Sequence, residues 1–448
     1  MSNQKLDRRK FLSTSALLGT AGIIGLASCG SKKSTVTPLK NVGEYYSPEL
    51  PDKADDGKEL KVGLVGCGGR GTGAIQNLLE AANGIVVTAY GDVFADRIES
   101  CRKTVKENFG QDVPDANCFV GFDAYKKVID MVDMVILTTP PNFRPYHFQY
   151  ASEKGVHSFL EKPIFVDPKG YRVTMAAAKV AEAKGLSVIT GTQRRHQRPY
   201  VEANKQIQAG IIGNITGGNV YWNQSMLWYK QRQAGWSDME WNIRDWVNWK
   251  WLSGDHIVEQ HVHNIDVFTW MSGLKPLKAN SFGARHRRIT GDQYDMFSTD
   301  FEFENGVHLH SMCRQIDGTS TSVHEEIHGT KGYWNSDTEE IRDWQGQLLW
   351  KFDKDAAEAE FKQHNPYVLE HVDWVNHIRR GQMHDEAPQT AISTLAAVMA
   401  RESAYTGKVT EWDEISASPL DYMPEKLELG PMDINKYGVA VPGTGEEK

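Results

Sequence analysis

The run Leu60-Lys-Val-Gly-Leu-Val-Gly66, continued by Cys67-Gly68-Gly69-Arg70-Gly71, constrains this chain more than any other stretch. A short apolar strand pattern ends in glycine, and a helical pattern with Ala74, Ile75, Leu78 and Leu79 follows at once. In such a strand–turn–helix the three spaced glycines have separate uses. Gly66 permits the tight turn, Gly68 lets backbone approach a ligand, and Gly71 lets helix and strand pack closely. The helix start leaves N–H groups free to hold phosphate. The reading is a dinucleotide-binding unit with Gly66, Gly68, Gly69, Arg70 and Gly71 around a pyrophosphate.

Ile85–Asp92 reads as the second strand, and Asp92 stands where an acidic residue takes the ribose hydroxyls. A carboxylate there repels a 2′-phosphate and favours NAD. Arg97 keeps NADP open, and Asp92 as the N-cap of the next helix is the alternative. Apolar strands follow at Met134–Thr138 and His157–Leu160, with a helical pattern between them through Lys154. Strands alternating with helices imply βαβ units and a parallel sheet, with ligands beyond the carboxyl ends of the strands. Gly66, Asp92, Thr139 and Lys162 all fall at such ends.

The 448 residues call for two domains, and the class is α/β with a second, α+β part. Net charge is −8; without residues 1–29, whose Lys5, Arg8, Arg9 and Lys10 outweigh Asp7, it is about −11. That excludes nucleic acid as the main partner. Five cysteines with no CxxC spacing give no zinc or redox motif, while a Cys101–Cys118 disulfide stays open.

Near the start of the chain stand Asp7-Arg8-Arg9-Lys10-Phe11-Leu12-Ser13, then an apolar run from Ala16 to Ala27 too short to span a bilayer, ending in Leu26-Ala27-Ser28-Cys29. This resembles a twin-arginine export signal ending in a lipoprotein box. The expectation is a periplasmic protein anchored to the membrane only through lipid on Cys29. An export signal over 1–29, a polar tether over 30–58, a dinucleotide domain over 59–190, a substrate and oligomerisation domain over 191–430 and a tail over 431–448 complete the expected layout.

The glycine loop, then Thr139-Pro140-Pro141-Asn142 with His147, then Glu161-Lys162-Pro163, resembles the Gfo/Idh/MocA oxidoreductases in order and spacing. Gly191-Thr-Gln-Arg-Arg195 with Pro199 is similar to the segment that opens their second domain. The resemblance implies an N-terminal Rossmann domain and a C-terminal domain on a large, open, mainly antiparallel sheet, in a dimer or tetramer. The sequence agrees: Met296–Phe303 alternates, and Asn305-Gly306 is a hairpin turn signal. The resemblance also implies NAD contacts from Thr139, Pro140, Asn142, His147 and Glu161, and a sugar or cyclitol substrate.

Oxidising a secondary alcohol needs a base for the hydroxyl proton. Lys162, at a strand end before proline, is one candidate, and His263 is the other. Glu259, four residues before His263, shares its face if the stretch is helical. Family members often carry an acid and a histidine at that spacing, usually aspartate; glutamate here reaches one methylene further. Which of Lys162 and His263 takes the proton is open. Seven tryptophans between 222 and 251, with arginines interleaved, suit sugar stacking as well as packing. Gln193, Arg195, Arg244 and Trp246 are the candidate substrate contacts. His308 and His310 share a strand face without a ligand framework, so no metal is expected. Three functions stay open: an NAD(P)-dependent oxidoreductase with tightly held cofactor, a closed NAD cycle that cleaves or epimerises glycosides through a keto-sugar, and a non-catalytic binding protein.

Overall fold

A computed structural model describes residues 46–434 and 438–443. The expected export signal, Cys29 and tether residues 30–45 lie outside the described residues.

Six strands form the first sheet: β1 (Leu60–Val65), β2 (Ile85–Asp92), β3 (Cys118–Val120), β4 (Met134–Leu137), β5 (His157–Leu160) and β6 (Val188–Thr190), in the order β3-β2-β1-β4-β5-β6. Every pairing is parallel. Val62, Leu64, Met134, Val135, Ile136 and Leu137 are fully buried, as strands covered on both faces must be. The covering helices include α1 (Gly69–Ala81), α2 (Ala95–Phe109), α3 (Ala124–Ile129), α4 (Arg144–Lys154) and α5 (Pro168–Ala183).

The next segments supply α6 (Arg198–Gln208), β7 (Ile215–Gln224), α7 (Asp238–Arg244), α8 (His256–Glu259) and α9 (Val262–Ser272). Strands β8 (Pro276–Ala284), β9 (Met296–Phe303), β10 (His308–Gln315), β11 (Ser322–Gly329), β12 (Gly332–Asn335), β13 (Glu340–Asp343) and β14 (Leu348–Lys351) follow. Two long helices, α10 (Pro366–Arg380) and α11 (Ala387–Thr406), precede the short β15 (Thr410–Glu411). The second sheet runs β14-β13-β12-β11-β7-β10-β9-β8-β15 and is antiparallel except where β7 meets β10. Phe297, Thr299, Phe301 and Phe303 turn inward together, as their alternation requires. Asn305 and Gly306 take φ of 62° and 71°, the conformation of a tight hairpin turn.

Three features depart from the expected layout. The stretch 46–58 is not free tether: Leu50 and Ala54 are buried, the Tyr46 hydroxyl donates to Asp373 at 2.5 Å, and Arg380 pairs with Asp55 at 2.8 Å. The dinucleotide domain is not contiguous. Val368, Val372, Trp374 and Val375 of α10 pack in one core with Leu60, Val62, Ala74 and Leu78, so α10 helps cover the first sheet. The expected tail is also anchored, since Ala440 is buried and its carbonyl accepts from the Tyr294 hydroxyl at 2.8 Å.

The described cysteines 67, 101, 118 and 313 are free thiols, so Cys101 and Cys118 are not bridged. His308 pairs with Asp300, and no cluster of three metal-ligating side chains occurs among the described residues.

Candidate active site

The glycine loop has the shape its spacing implies. Gly66 has φ 96°, and a Cβ there would lie 2.6 Å from the Thr139 nitrogen. A Cβ at Gly71 would lie 1.9 Å from the Gly66 carbonyl oxygen, so helix and turn are in direct backbone contact. At Gly68 and Gly69 a Cβ would meet nothing within 4 Å. Gly68 is the N-cap of α1 and gives no side-chain cap, which leaves the helix N–H groups facing a cavity of about 1060 Å³. Gly66, Gly68, Gly69, Arg70, Gly71, Asp92, Arg97, Thr139, Pro140 and His147 all line it. An elongated anionic dinucleotide fits these donors and this open glycine face.

Asp92 serves two ends at once. Its carboxylate accepts from the Cys67 N–H at 2.7 Å and the Phe94 N–H at 2.9 Å, pinning the glycine loop to the end of β2. It also borders the cavity, with lone pairs left for ribose hydroxyls. Burial raises its pKa. His147 is stacked on Tyr125 at 4.1 Å, and burial pushes its pKa down to about 3, so it stays neutral at physiological pH.

Two expected nucleotide contacts lie elsewhere. Asn142 is buried and donates to the Trp251 carbonyl at 2.7 Å, which anchors its turn to the second domain. Glu161 accepts from Arg70 Nε at 2.6 Å, and it abuts Gly191, where a Cβ would come within 2.8 Å of its carboxylate. Arg70 also reaches Glu370 at 3.1 Å and lies over the Tyr367 ring at 4.7 Å. The loop arginine therefore connects the nucleotide cavity to the strand end that carries Lys162.

At that strand end Lys162 Nζ donates to Glu259 Oε1 at 2.8 Å and to the Glu259 carbonyl at 2.5 Å. Both side chains are about nine-tenths buried. Glu259 and His263 do not share one helix face. Glu259 ends α8, His263 lies in the first turn of α9, and Gln260 and His261 separate the two helices. The Glu259 carboxylate turns to Lys162, while the His263 ring stacks on Trp222 at 5.6 Å and 20°. Burial holds the His263 pKa well below its ordinary value, and the charges of Lys162, Arg194 and Arg70 lower it further. Its imidazole is therefore neutral.

The expected substrate contacts separate. Arg195 is buried in a bidentate pair with Asp266, at 2.9 and 2.6 Å, and does not face the site. Arg244 and Trp246 line the dinucleotide cavity instead, at its Asp92 end. Arg244 pairs with Asp96 at 2.9 Å and lies over the Phe94 ring at 3.8 Å. Gln193 stands at the start of a short 3-10 turn with Oε1 buried and unpartnered.

Residues 60–191 match the model of an oxidoreductase family with an NAD-binding Rossmann fold, and residues 200–335 match the GFO/IDH/MocA C-terminal domain. The chain belongs to the Gfo/Idh/MocA oxidoreductase family. Curated relatives include glycosyl hydrolase family 109 protein 2 of Shewanella sp. (strain ANA-3), 32% identical over 35% of this chain and 34% of the relative. Another is the scyllo-inositol 2-dehydrogenase (NAD(+)) of Bacillus subtilis (strain 168), 22% identical over 61% of this chain and 72% of the relative. The first of these matches thus spans about a third of the relative's length. Among solved structures, scyllo-inositol dehydrogenase from Lactobacillus casei with bound NAD(H) and scyllo-inositol superposes with a TM-score of 0.59 and 20% identity, over 79% of this chain and 99% of that one. Aldose-aldose oxidoreductase from Caulobacter crescentus complexed with glycerol gives 0.62 and 16%, over 79% and 99%. These likenesses establish the fold.

Within this Gfo/Idh/MocA chain, four site residues carry no sequence signal strong enough to find them. Arg194, not Arg195, lies over Trp222 at 5.4 Å while paired to Glu325. Adjacent arginines leave a turn in different directions, and the sequence does not say which finds Asp266. Tyr367 and Glu370 come from α10, some two hundred residues beyond Lys162. Arg144 is fully buried and donates to the carbonyls of Leu137, Thr139 and Pro163, so one cation ties together the ends of β4 and β5. Burial lowers its pKa to about 10, still charged at neutrality.

Proposed function

We propose that the protein is an NAD-dependent oxidoreductase acting on a secondary alcohol of a sugar, glycoside or cyclitol. The observation that carries this reading is the Lys162–Glu259 pair at the end of β5, beside a neutral, buried His263 and joined through Glu161 and Arg70 to the dinucleotide cavity. Bound NAD supplies the hydride acceptor. Lys162 donates hydrogen bonds to the substrate hydroxyl and orients it. Neutral His263 accepts the hydroxyl proton and must pass it on at once, because burial and the neighbouring cations disfavour its protonated form. The Glu259 carboxylate accepts from Lys162 Nζ at 2.8 Å and holds it in place. Asp92 at the ribose end favours NAD over NADP, because its carboxylate opposes a 2′-phosphate; Arg97 beside it is the opposing cation.

The test is direct. The purified protein is denatured, its released nucleotide identified, and sugars and cyclitols are screened for absorbance change at the reduced nicotinamide band. Lys162→Ala is expected to lower turnover by about 10³-fold or more with NADH binding nearly unchanged. Full activity in that variant removes Lys162 from the mechanism.

A second reading is a closed cycle that oxidises a glycoside transiently and then cleaves or epimerises it. Its support is the likeness to glycosyl hydrolase family 109 proteins and the export pattern, since a compartment outside the cytoplasm offers no expected NAD pool. Product analysis separates the two: cleavage or epimerisation without net NADH accumulation favours the cycle. We also propose export and lipid anchoring at Cys29, supported by Arg8-Arg9 and Leu-Ala-Ser-Cys. Loss of membrane association in Cys29→Ala checks it. Phe282, Met296, Met312 and Val323 stand exposed on the outer face of the second sheet, which supports a homo-oligomer, read by light scattering.

A further inference from the structure

Asp255 stands between Gly254 and the first residue of α8, with φ 75° and ψ 161°. Glycine enters that region freely, and a residue with a Cβ enters it under strain. A glycine would make the same turn; what the aspartate adds is a carboxylate. That carboxylate is fully buried and surrounded by donors. Its Oδ1 accepts from the His256 N–H at 2.6 Å and lies 2.9 Å from His256 Nδ1. Its Oδ2 accepts from the Tyr294 N–H at 2.9 Å and from the Tyr405 hydroxyl at 2.5 Å. Burial opposes its charge, but the His256 ring, the Arg288 cation and the Tyr405 hydroxyl together hold its pKa down to about 2.

The turn is braced by α11. Arg401 and Tyr405 stand four apart on that helix and share one face. While Tyr405 holds the Asp255 carboxylate, Arg401 Nη1 donates to the Gly254 carbonyl at 2.9 Å and to the Val166 carbonyl at 2.8 Å. Val166 lies four residues beyond Lys162, and Gly254 lies five before Glu259. One buried cation thus spans the two segments that carry the Lys162–Glu259 pair. The segments also touch directly, since a Cβ at Gly254 would lie 3.2 Å from Val166 Cβ.

The strained backbone reaches Glu259 by hydrogen bonds. The Asp255 carbonyl accepts from the Val258 N–H at 3.0 Å and from the Glu259 N–H at 2.8 Å. Helix α8 is a single turn, so the direction in which it starts sets where its last residue lies. Glu259 then offers both its carboxylate and its backbone carbonyl to Lys162 Nζ, at 2.8 and 2.5 Å. The carbonyl contact ties Lys162 to the path of the chain itself.

We propose that Asp255 is a positioning residue for the reacting pair: its strained turn, fastened to Tyr405 and Arg401 of α11, sets the backbone of Glu259 where it meets Lys162. This rests on the role given to Lys162 above. It adds a buried residue that does not line the nucleotide cavity.

Labelling of Lys162 by an amine-acylating reagent, read by peptide mass spectrometry, follows the pair without any substrate. Thermal unfolding and NADH affinity monitor the rest of the fold. Asp255→Gly relieves the strain and removes the carboxylate, so its effects on stability offset in part. In that variant Lys162 is expected to label at least about tenfold faster, as its held pair opens locally. NADH affinity stays near that of the unaltered protein. Turnover falls by about 10²-fold with the substrate KM little changed, as a misplaced reacting group requires. Asp255→Asn keeps an acceptor of the same shape and recovers much of both losses. Tyr405→Phe is the milder change, which keeps the test open if the glycine variant does not fold; it gives a smaller rise in Lys162 labelling. Unchanged Lys162 labelling in Asp255→Gly and Tyr405→Phe overturns the positioning role. So does labelling that rises together with loss of NADH binding and a collapse of Tm, which marks general loosening. Faster Lys162 labelling with full turnover leaves Asp255 as the positioner of the pair and overturns instead the role of Lys162 in the reaction.

Discussion

Gly71→Ala against Gly68→Ala separates the structural from the ligand-binding use of one loop. At Gly71 the new methyl would lie 1.9 Å from the Gly66 carbonyl oxygen and 2.7 Å from Thr138 Oγ1. Ordinary contact begins near 3.4 Å, and the nearest atom is backbone, so α1 or the turn must move by more than about 1 Å. Ala74, Ile75 and Leu78 of α1 are fully buried in a packed core, so that movement spreads along the helix. Overpacking of this kind costs about 1–3 kcal/mol, and a rigid backbone obstacle argues for the upper part of that range. Tm should fall by several degrees, at roughly 2–4 °C per kcal/mol for domains of about 150–250 residues. At Gly68 the methyl meets nothing within 4 Å, and φ is −71°, which any L-residue adopts. Its Tm should stay within the change of about 0.5 kcal/mol typical of harmless substitutions. The methyl would instead occupy the face that the pyrophosphate approaches, and NADH affinity should fall at least about tenfold, or 1.4 kcal/mol. Circular dichroism melts and NADH fluorescence titrations read the two effects. Unchanged Tm in Gly71→Ala together with unchanged affinity in Gly68→Ala would refute the assignment of this loop as the nucleotide cradle.

Glu259→Gln keeps a hydrogen bond to Lys162 but removes the paired charge; turnover should drop in initial-rate assays, and wild-type turnover would show that the charge of Glu259 is not needed. Arg144→Lys loses the fork that spans the Leu137, Thr139 and Pro163 carbonyls, and should lower both Tm and turnover while the protein still folds; wild-type values in both would show that the strand ends hold themselves. Asp292 is fully buried with its pKa raised to about 7 by burial, so the folded state binds a proton that the unfolded state, near 3.9, releases. Its stabilising effect is complete below about pH 4 and is lost as pH rises to about 7, a swing on the order of 4 kcal/mol. Asp292→Asn should flatten that part of the stability profile in denaturant titrations at pH 5 and pH 8; an unchanged slope would place the proton elsewhere.

Much of this protein was legible as one-dimensional pattern. The strand–glycine–helix run had to form the first βα unit, since Gly66 and Gly71 stand where backbone meets backbone and no side chain fits. The inward stripe of Phe297, Thr299, Phe301 and Phe303 followed from period-two alternation. The Lys162 strand end followed from the alternation of strands and helices. Only the folded chain decided which groups meet across long separations. It paired Lys162 with Glu259, sent Arg195 to Asp266 and Arg194 to Trp222, and brought α10 back onto the first sheet. It also carried Arg244 and Trp246 to the nucleotide end of the cavity, together with a late segment whose sequence gives no hint of a ligand. The physical reason is that local pattern fixes backbone conformation and which face is apolar. The direction of a charged side chain is set by whichever buried partner satisfies it, and that partner comes from distant parts of the chain.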